Sequence, residues 1–325
     1  MPIREVVSCN LCRSNIYKPL YVKRYFDGIY QVVKCESCGL VYMNPRFTEE
    51  KNKDFYDDKY YYFSEIENRI SATEAINHFK ILRNYADGGR LLDIGCARGF
   101  FLKAANQNGW QVRGVDISDY ACEFAKEQFG LNVSLGNLED IKFPEEHFDA
   151  ITLWNVLEHL RDPRKTLKRV KKLLKNGGVL FIKIPNINSI YYRLYRRYWL
   201  GFNPFHLYYF SFKTIKEMLE QLGFEAVRLD TEIVDLLSKE GLWNRGLKTP
   251  LAEMLDTLGL KDKIEKRWVK KKFIKPEKAN FRQIDLESLF LPRSKLINLI
   301  NHPINRLING FKMGDHLLVI AKKLD

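Results

Sequence analysis

Short apolar runs at about 90–94, 111–116, 132–135, 148–153 and 179–184 mark the middle of the chain. Each has the length of a strand, and helix-spaced residues fill the gaps between them. In Arg161–Lys175, Leu167, Val170, Leu173 and Leu174 fall on one face and basic residues cover the other. Such alternation predicts a doubly wound, mostly parallel sheet. A strand at about Glu225–Asp230 and a last, antiparallel one at His316–Lys323 bring the sheet to seven. Ser211 is placed to cap a helix that Gly223 ends. Before the first strand, helical patterning runs over roughly Ile70–Tyr85 and breaks at Asp87-Gly88-Gly89. Residues 233–315 are too long for a connection and predict a helical insertion. Within it, Leu296, Ile300, Ile304 and Ile308 recur at four-residue spacing, interrupted at Pro303.

The first strand runs into Asp93-Ile94-Gly95-Cys96-Ala97-Arg98-Gly99, and an apolar helical run leaves it. Gly95 and Gly99 let the backbone turn tightly and approach a ligand. About twenty residues on, the second strand ends in Asp116-Ile117, where an acid can grip two ribose hydroxyls. Together these features predict an adenosine-type cofactor. Asp93 stands before the first glycine, where a carboxylate would repel a pyrophosphate and suit an ammonium and a sulfonium. In a doubly wound sheet the ligand crevice lies at the carboxyl ends of the strands. The candidate cofactor-binding residues are therefore Asp93, Gly95, Cys96 and Gly99 after the first strand and Asp116 and Ile117 after the second. Asn137 and Leu138 follow the third strand and Asn155 the fourth. The thiols of Cys96 and Cys122 read as small buried hydrophobes.

Cys9-Asn10-Leu11-Cys12 and Cys35-Glu36-Ser37-Cys38 form two C-x2-C pairs. Each can aim two thiolates at one tetrahedral ion, the template of a zinc site. Four protein ligands leave no open position, so the expected zinc is structural. Gly39 suits the turn after the second pair, and Tyr30–Lys34 reads as a ribbon strand feeding it.

The chain is 46% hydrophobic over 325 residues, enough for a sizeable core. It has no apolar run long enough for a transmembrane helix and no signal-peptide core near Met1. A cytoplasmic protein with reduced thiols is expected, in contact with the inner face of a membrane at most. The net charge of +13 favours anionic partners. The segment Ser189–Phe212 is crowded with aromatics, carries Arg193, Arg196 and Arg197, and has no acid. Three readings compete: stacking on sugars or bases with arginines holding phosphate, a membrane interface, and a packed lid over the cleft.

The glycine loop with its flanking acids resembles that of class I S-adenosylmethionine (SAM) methyltransferases, with Ala97 in place of the middle glycine. The likeness continues through Phe148–Pro163, Leu173–Asn186 and His206-Leu207-Tyr208-Tyr209-Phe210-Ser211. It implies a Rossmann-like seven-stranded sheet and SAM as cofactor. The boundaries are a zinc ribbon over 1–45, a helical linker or cap over 46–89 and the SAM-binding domain over 90–232. The insertion at 233–315, a cap, dimerisation or membrane-surface element, follows, and then the final strand at 316–325. Methyl transfer to a hydroxyl needs an aligned acceptor and removal of its proton. His159 after the fourth strand, and His206 in an aromatic loop able to fold over the site, are the candidate bases. Ribbon, Asn44-Pro45-Arg46 and the His206 loop together resemble methyltransferases of surface-polysaccharide and glycolipid synthesis. That resemblance implies O-methylation of a sugar hydroxyl on a lipid- or nucleotide-linked saccharide. The fourth-strand segment resembles quinone and isoprenoid O-methyltransferases equally well. A third reading, an RNA-binding or RNA-modifying protein, is permitted by ribbon and charge. The Asn/Asp-Pro-Pro-aromatic motif of base-amino methyltransferases is absent, which argues against nucleic acid.

Overall fold

The computed structural model describes residues 4–25, 28–49, 65–199, 201–202, 205–232 and 306–324. The basic run Lys261–Lys275, the repeat Leu296, Ile300, Ile304 and most of the expected insertion lie outside them.

Five strands form before the first helix: β1 (Arg4–Glu5), β2 (Tyr17–Tyr25), β3 (Gly28–Cys35), β4 (Val41–Met43) and β5 (Arg46–Phe47). After the helix Glu65–Leu82 come β6 (Arg90–Ile94), β7 (Gln111–Asp116), β8 (Val133–Leu135), β9 (Phe148–Trp154) and β10 (Leu174–Pro185). Then follow β11 (Tyr208–Tyr209), β12 (Phe224–Glu232) and β13 (His316–Lys323). The main sheet has seven strands in the order β12-β13-β10-β9-β6-β7-β8. β8, β7, β6, β9 and β10 run parallel, and β13 is antiparallel to both β10 and β12. The chain order reverses between β6 and β9, which places a crevice at their carboxyl ends.

The central strands are covered on both faces, as a parallel sheet requires: Leu91, Leu92, Ala150, Ile151, Leu180, Phe181 and Ile182 are all fully buried. The helix Pro163–Leu173 buries Leu167, Val170 and Leu173 and leaves its lysines in water. Asp162 caps it, accepting from the Lys165 N–H, and Pro163 opens it. Ser211 caps Phe212–Gln221 in a reciprocal box with Thr214. No helix among the described residues is long and apolar enough to cross a membrane.

The ribbon does not stand apart from this sheet. β11, which belongs to the loop after β10, pairs antiparallel with β4 and completes a second sheet in the order β11-β4-β3-β2. One apolar cluster runs from Leu11, Leu40 and Tyr42 in the ribbon to Leu167 and Leu173 of the helix Pro163–Leu173 and Phe224 of β12.

Candidate functional site

The turn after β6 is shaped by three residues with positive φ: Gly95 at 70°, Ala97 at 45° and Gly99 at 76°. Gly95 and Cys96 both point their N–H at the Val115 carbonyl, at 2.7 and 3.2 Å. A Cβ on Gly95 would lie 2.4 Å from a Val156 methyl, and one on Gly99 would lie 2.6 Å from Leu131. The loop is thus pressed against both the turn after β9 and the helix Asp119–Phe129, and only glycine fits. The Cys96 thiol packs over Gly114, buried as expected.

Asp116 closes the other side. One carboxylate oxygen accepts the Ala97 N–H at 2.7 Å and the other the Ser118 N–H at 2.9 Å. Burial raises its pKa against the pull of these donors. Asp93 is buried too, and its Oδ1 accepts from the Thr152 hydroxyl at 2.6 Å. Burial holds its carboxyl up at about 8, with the Asp116 charge pushing the same way. The turn after β8 joins through Gly136, whose N–H donates to the Asp116 carbonyl. Of the residues beside it, Asn137 is exposed and reaches Asp140, and Leu138 is buried. Ile117 stands exposed next to Asp116. Asn155 sits at φ 57°, and its buried Oδ1 has no hydrogen-bond partner among the described residues. Strand ends therefore bring together two carboxylates, a glycine cradle and an orphaned amide oxygen. That donor set suits a ligand with hydroxyls and an ammonium, which donate where these groups accept.

One turn beyond Asn155, the 3-10 turn Leu157–His159 carries the second cluster. His159 Nδ1 donates to the Phe205 carbonyl at 3.0 Å, and His206 Nδ1 to the Gly201 carbonyl at 2.8 Å. The two rings meet edge to face with centroids 4.7 Å apart. Burial keeps both neutral, His159 at about 4 and His206, further lowered by His159, at about 3. Glu158 lies 3.9 Å from His159 Nε2, fully buried, and burial lifts its carboxyl to about 8. Its role was not foreseen, although an acid among the apolar residues of Asn155-Val156-Leu157-Glu158 was a visible signal.

The loop bearing His206 is tied down on both sides. Leu207 donates its N–H to the Glu158 carbonyl and accepts from Met43 N–H, and β11 locks the next two residues to the ribbon. Tyr191, Trp199, Phe202 and Tyr209 pack with Val32 and Val41, so the aromatics there serve packing. Arg193, Arg196 and Arg197 remain exposed.

The four ribbon thiols lie within 4.8 Å of one another, with Cys9–Cys38 and Cys12–Cys35 Sγ separations of 3.5 Å. A tetrahedral ion with ~2.3 Å bonds to sulfur needs sulfurs about 3.8 Å apart, which this arrangement meets. The two pairs are built alike. Cys9 N–H bonds Ser14 O and Arg13 N–H bonds Cys9 O; Cys35 N–H bonds Leu40 O and Gly39 N–H bonds Cys35 O. Arg13 and Gly39 both take positive φ. Burial raises Cys9 to about 11 and raises Cys38 further. For Cys35 the burial penalty is outweighed by backbone N–H groups of Cys38 and Ser37 and the Cys12 thiol, giving about 7.

Two polar residues outside the expected set tie the ribbon to the site. Asn10 donates to Asp162 and accepts from the Arg164 N–H, so it shares in capping the helix Pro163–Leu173. Arg46, from the Asn44-Pro45-Arg46 segment, bonds Glu5, the Arg161 carbonyl and the Tyr208 hydroxyl.

Comparison with known proteins gives relatives of two kinds. The chain is 29% identical over 200 residues to an uncharacterized protein of Methanocaldococcus jannaschii, covering 60% of this chain and 86% of that one. It is 34% identical over 106 residues to a ubiquinone biosynthesis O-methyltransferase of Coxiella burnetii; that match covers 31% of this chain and spans 45% of the other. Among solved structures, a SAM-dependent methyltransferase from Archaeoglobus fulgidus is 22% identical with a TM-score of 0.47, covering 77% of this chain and 93% of that one. The family model described as a methyltransferase domain matches residues 62–229, about half of the chain and the whole stretch from the helix before β6 into β12, and the protein belongs to that family.

Proposed function

We propose that the protein transfers a methyl group from SAM to a sugar hydroxyl of a lipid- or nucleotide-linked saccharide. The observation that carries this reading is the convergence at the ends of β6, β7 and β9. There the Gly95–Gly99 cradle and Asp116 meet the Asn155 oxygen, which has no partner among the described residues; one turn on is His159, whose ring meets that of His206. When bound, SAM supplies an electrophilic methyl carbon and leaves as a neutral thioether, so acid assistance to departure is not needed.

The remaining work falls to this chain's residues. Asp116 receives the ribose hydroxyls beyond the two N–H groups that it already holds. Asp93 and Asn155 face the ammonium end. Cys96, Ile117, Asn137 and Leu138 line the cradle and the adenine side. His159 and His206, uncharged and fixed through their Nδ1 protons, orient the acceptor hydroxyl and receive its hydrogen. The exposed Arg193, Arg196 and Arg197 suit the phosphate of a carrier. Zinc in the cysteine cluster is closed to substrate and structural. A cytoplasmic enzyme whose arginine face meets anionic carriers at a membrane surface fits these features.

A second reading is methylation of a quinone or isoprenoid phenol, favoured by the likeness over 106 residues to a ubiquinone biosynthesis enzyme. Incubation with methyl-radiolabelled SAM and three host fractions (lipid, nucleotide sugars, RNA) separates these. Label released with a monosaccharide on acid hydrolysis is expected. Label in lipid without sugar would establish the second reading, and label in RNA would overturn both.

A further inference from the structure

Glu158 poses a chemical problem that the methyl-transfer reading leaves open. Its side chain is 1% exposed, and neither carboxyl oxygen has a hydrogen-bond partner among the described residues. A buried carboxyl with no donor is costly unless something electropositive sits beside it. The Leu207 N–H that approaches this residue goes to its main-chain carbonyl, which leaves the carboxyl only the weak pull of its own main-chain N–H.

The neighbours show what could serve it. A carbonyl only accepts, so the bonds from His159 Nδ1 to Phe205 O and from His206 Nδ1 to Gly201 O place the proton of each ring on Nδ1. Each Nε2 then carries a lone pair. This backing of an imidazole by a carbonyl is the arrangement that orients metal-ligating histidines. Glu158, His159 and His206 each offer one ligand atom, and the three lie within 4.8 Å of one another. An ion with bonds of ~2.1 Å needs them about 3.0–3.4 Å apart, a closure of about 0.5–1 Å from the 3.9 Å between Glu158 and His159 Nε2 and of at most about 2 Å for His206. Both histidines are partly exposed, whereas Glu158 is fully buried.

We infer that Glu158, His159 and His206 form a second metal site, for a divalent first-row cation, with open positions that take the acceptor's hydroxyl and a neighbouring oxygen. Two nitrogens and a carboxylate suit manganese, iron or zinc and set this site apart from the thiolate ribbon. The ion would neutralise the buried carboxylate and, as a Lewis acid, acidify a bound hydroxyl whose proton passes to water; with the metal bound, both Nε2 atoms are ligands and the metal takes over the part of base given to the histidines above. The acceptor would then be one whose hydroxyl has an oxygen on the adjacent carbon, such as a vicinal diol. The inference rests on placing the acceptor beside these histidines, as above.

Its test needs no acceptor. Protein carrying zinc in the cysteine cluster is titrated with Mn2+, followed by electron paramagnetic resonance and calorimetry, with zinc content measured in parallel. One Mn2+ per chain is expected beside the retained zinc. Glu158→Gln and His206→Ala are each expected to weaken Mn2+ binding at least tenfold while zinc content and SAM binding persist. Those two readouts certify the fold, and if one variant fails them the other decides. Absence of Mn2+ binding in the wild type, or equal binding in the variants, overturns the site. Since turnover is not measured, a failure of the saccharide reading would leave this result unaffected.

Discussion

Ala97 holds φ 45° in a loop where a glycine would rest without strain. The left-handed region costs a residue with a Cβ about 1–2 kcal/mol. Glycine's larger unfolded-state entropy takes back about 0.5–1 kcal/mol. Ala97→Gly is therefore expected to stabilise the protein by about 0.5–1 kcal/mol, seen as a rise of roughly 1–4 °C in thermal unfolding. Gly95→Ala should do the reverse, because its Cβ would meet Val156 at 2.4 Å; a loss of SAM affinity of at least about tenfold is expected by calorimetry. Asp93 gives a pH dependence. Burial lifts its carboxyl to about 8, whereas pairing with an ammonium requires the ionised form. SAM binding should then expel a proton below pH 8, and affinity should weaken by up to about tenfold per pH unit between pH 8 and 6. Calorimetry in two buffers of different ionisation enthalpy measures this, and Asp93→Asn should flatten the profile. In the ligand-free protein the sign is opposite. A folded pKa raised above the unfolded ~3.9 contributes stability present in acid and lost as pH rises through about 8. The glycine loop and both acids were legible in the sequence because spacing alone fixes such turns. Glu158 was visible only as an acid in an apolar stretch; its burial and its place beside His206 depend on a loop about 46 residues further on.

The seven main-sheet strands were readable because each is a compact apolar run, and Ser211 and Gly223 bounded their helix as expected. β11 escaped notice. Two tyrosines inside an aromatic stretch carry no alternation, and their partners, Val41 and Tyr42, lie far back in the chain. The cap on Pro163–Leu173 was hidden for the same reason: Asp162 is a visible N-cap, but the Asn10 amide that braces it sits between two cysteines. Asn10→Ala removes two hydrogen bonds at a buried position. It should cost about 1–2 kcal/mol in urea unfolding, without touching the thiols.

Across the whole molecule, a short run of backbone bonds leads from the cysteine cluster to the turn that carries Glu158 and His159. β4 follows the second cysteine pair directly; Met43 N–H bonds Leu207 O, and Leu207 N–H bonds Glu158 O. Disturbing the cysteine cluster should therefore be felt at the histidines. Cys12→Ser is expected to lower methyl transfer at least tenfold and to speed hydrogen exchange at Leu207 and Tyr208, while SAM affinity changes little. Equal exchange in variant and wild type would show that the two regions are independent.

The pairing of β4 with β11 also sets an order of events during synthesis. Arg46, just past β4, and Tyr208 are 162 residues apart. The ribbon strands leave the ribosome long before β11 does, yet their sheet waits with an open edge, Tyr42 uncovered, until the chain has been made as far as Tyr208. An N-terminal fragment ending near residue 47 would keep that edge permanently and invite association through it. What reads as a small self-contained module is thus completed only by a strand made long after it.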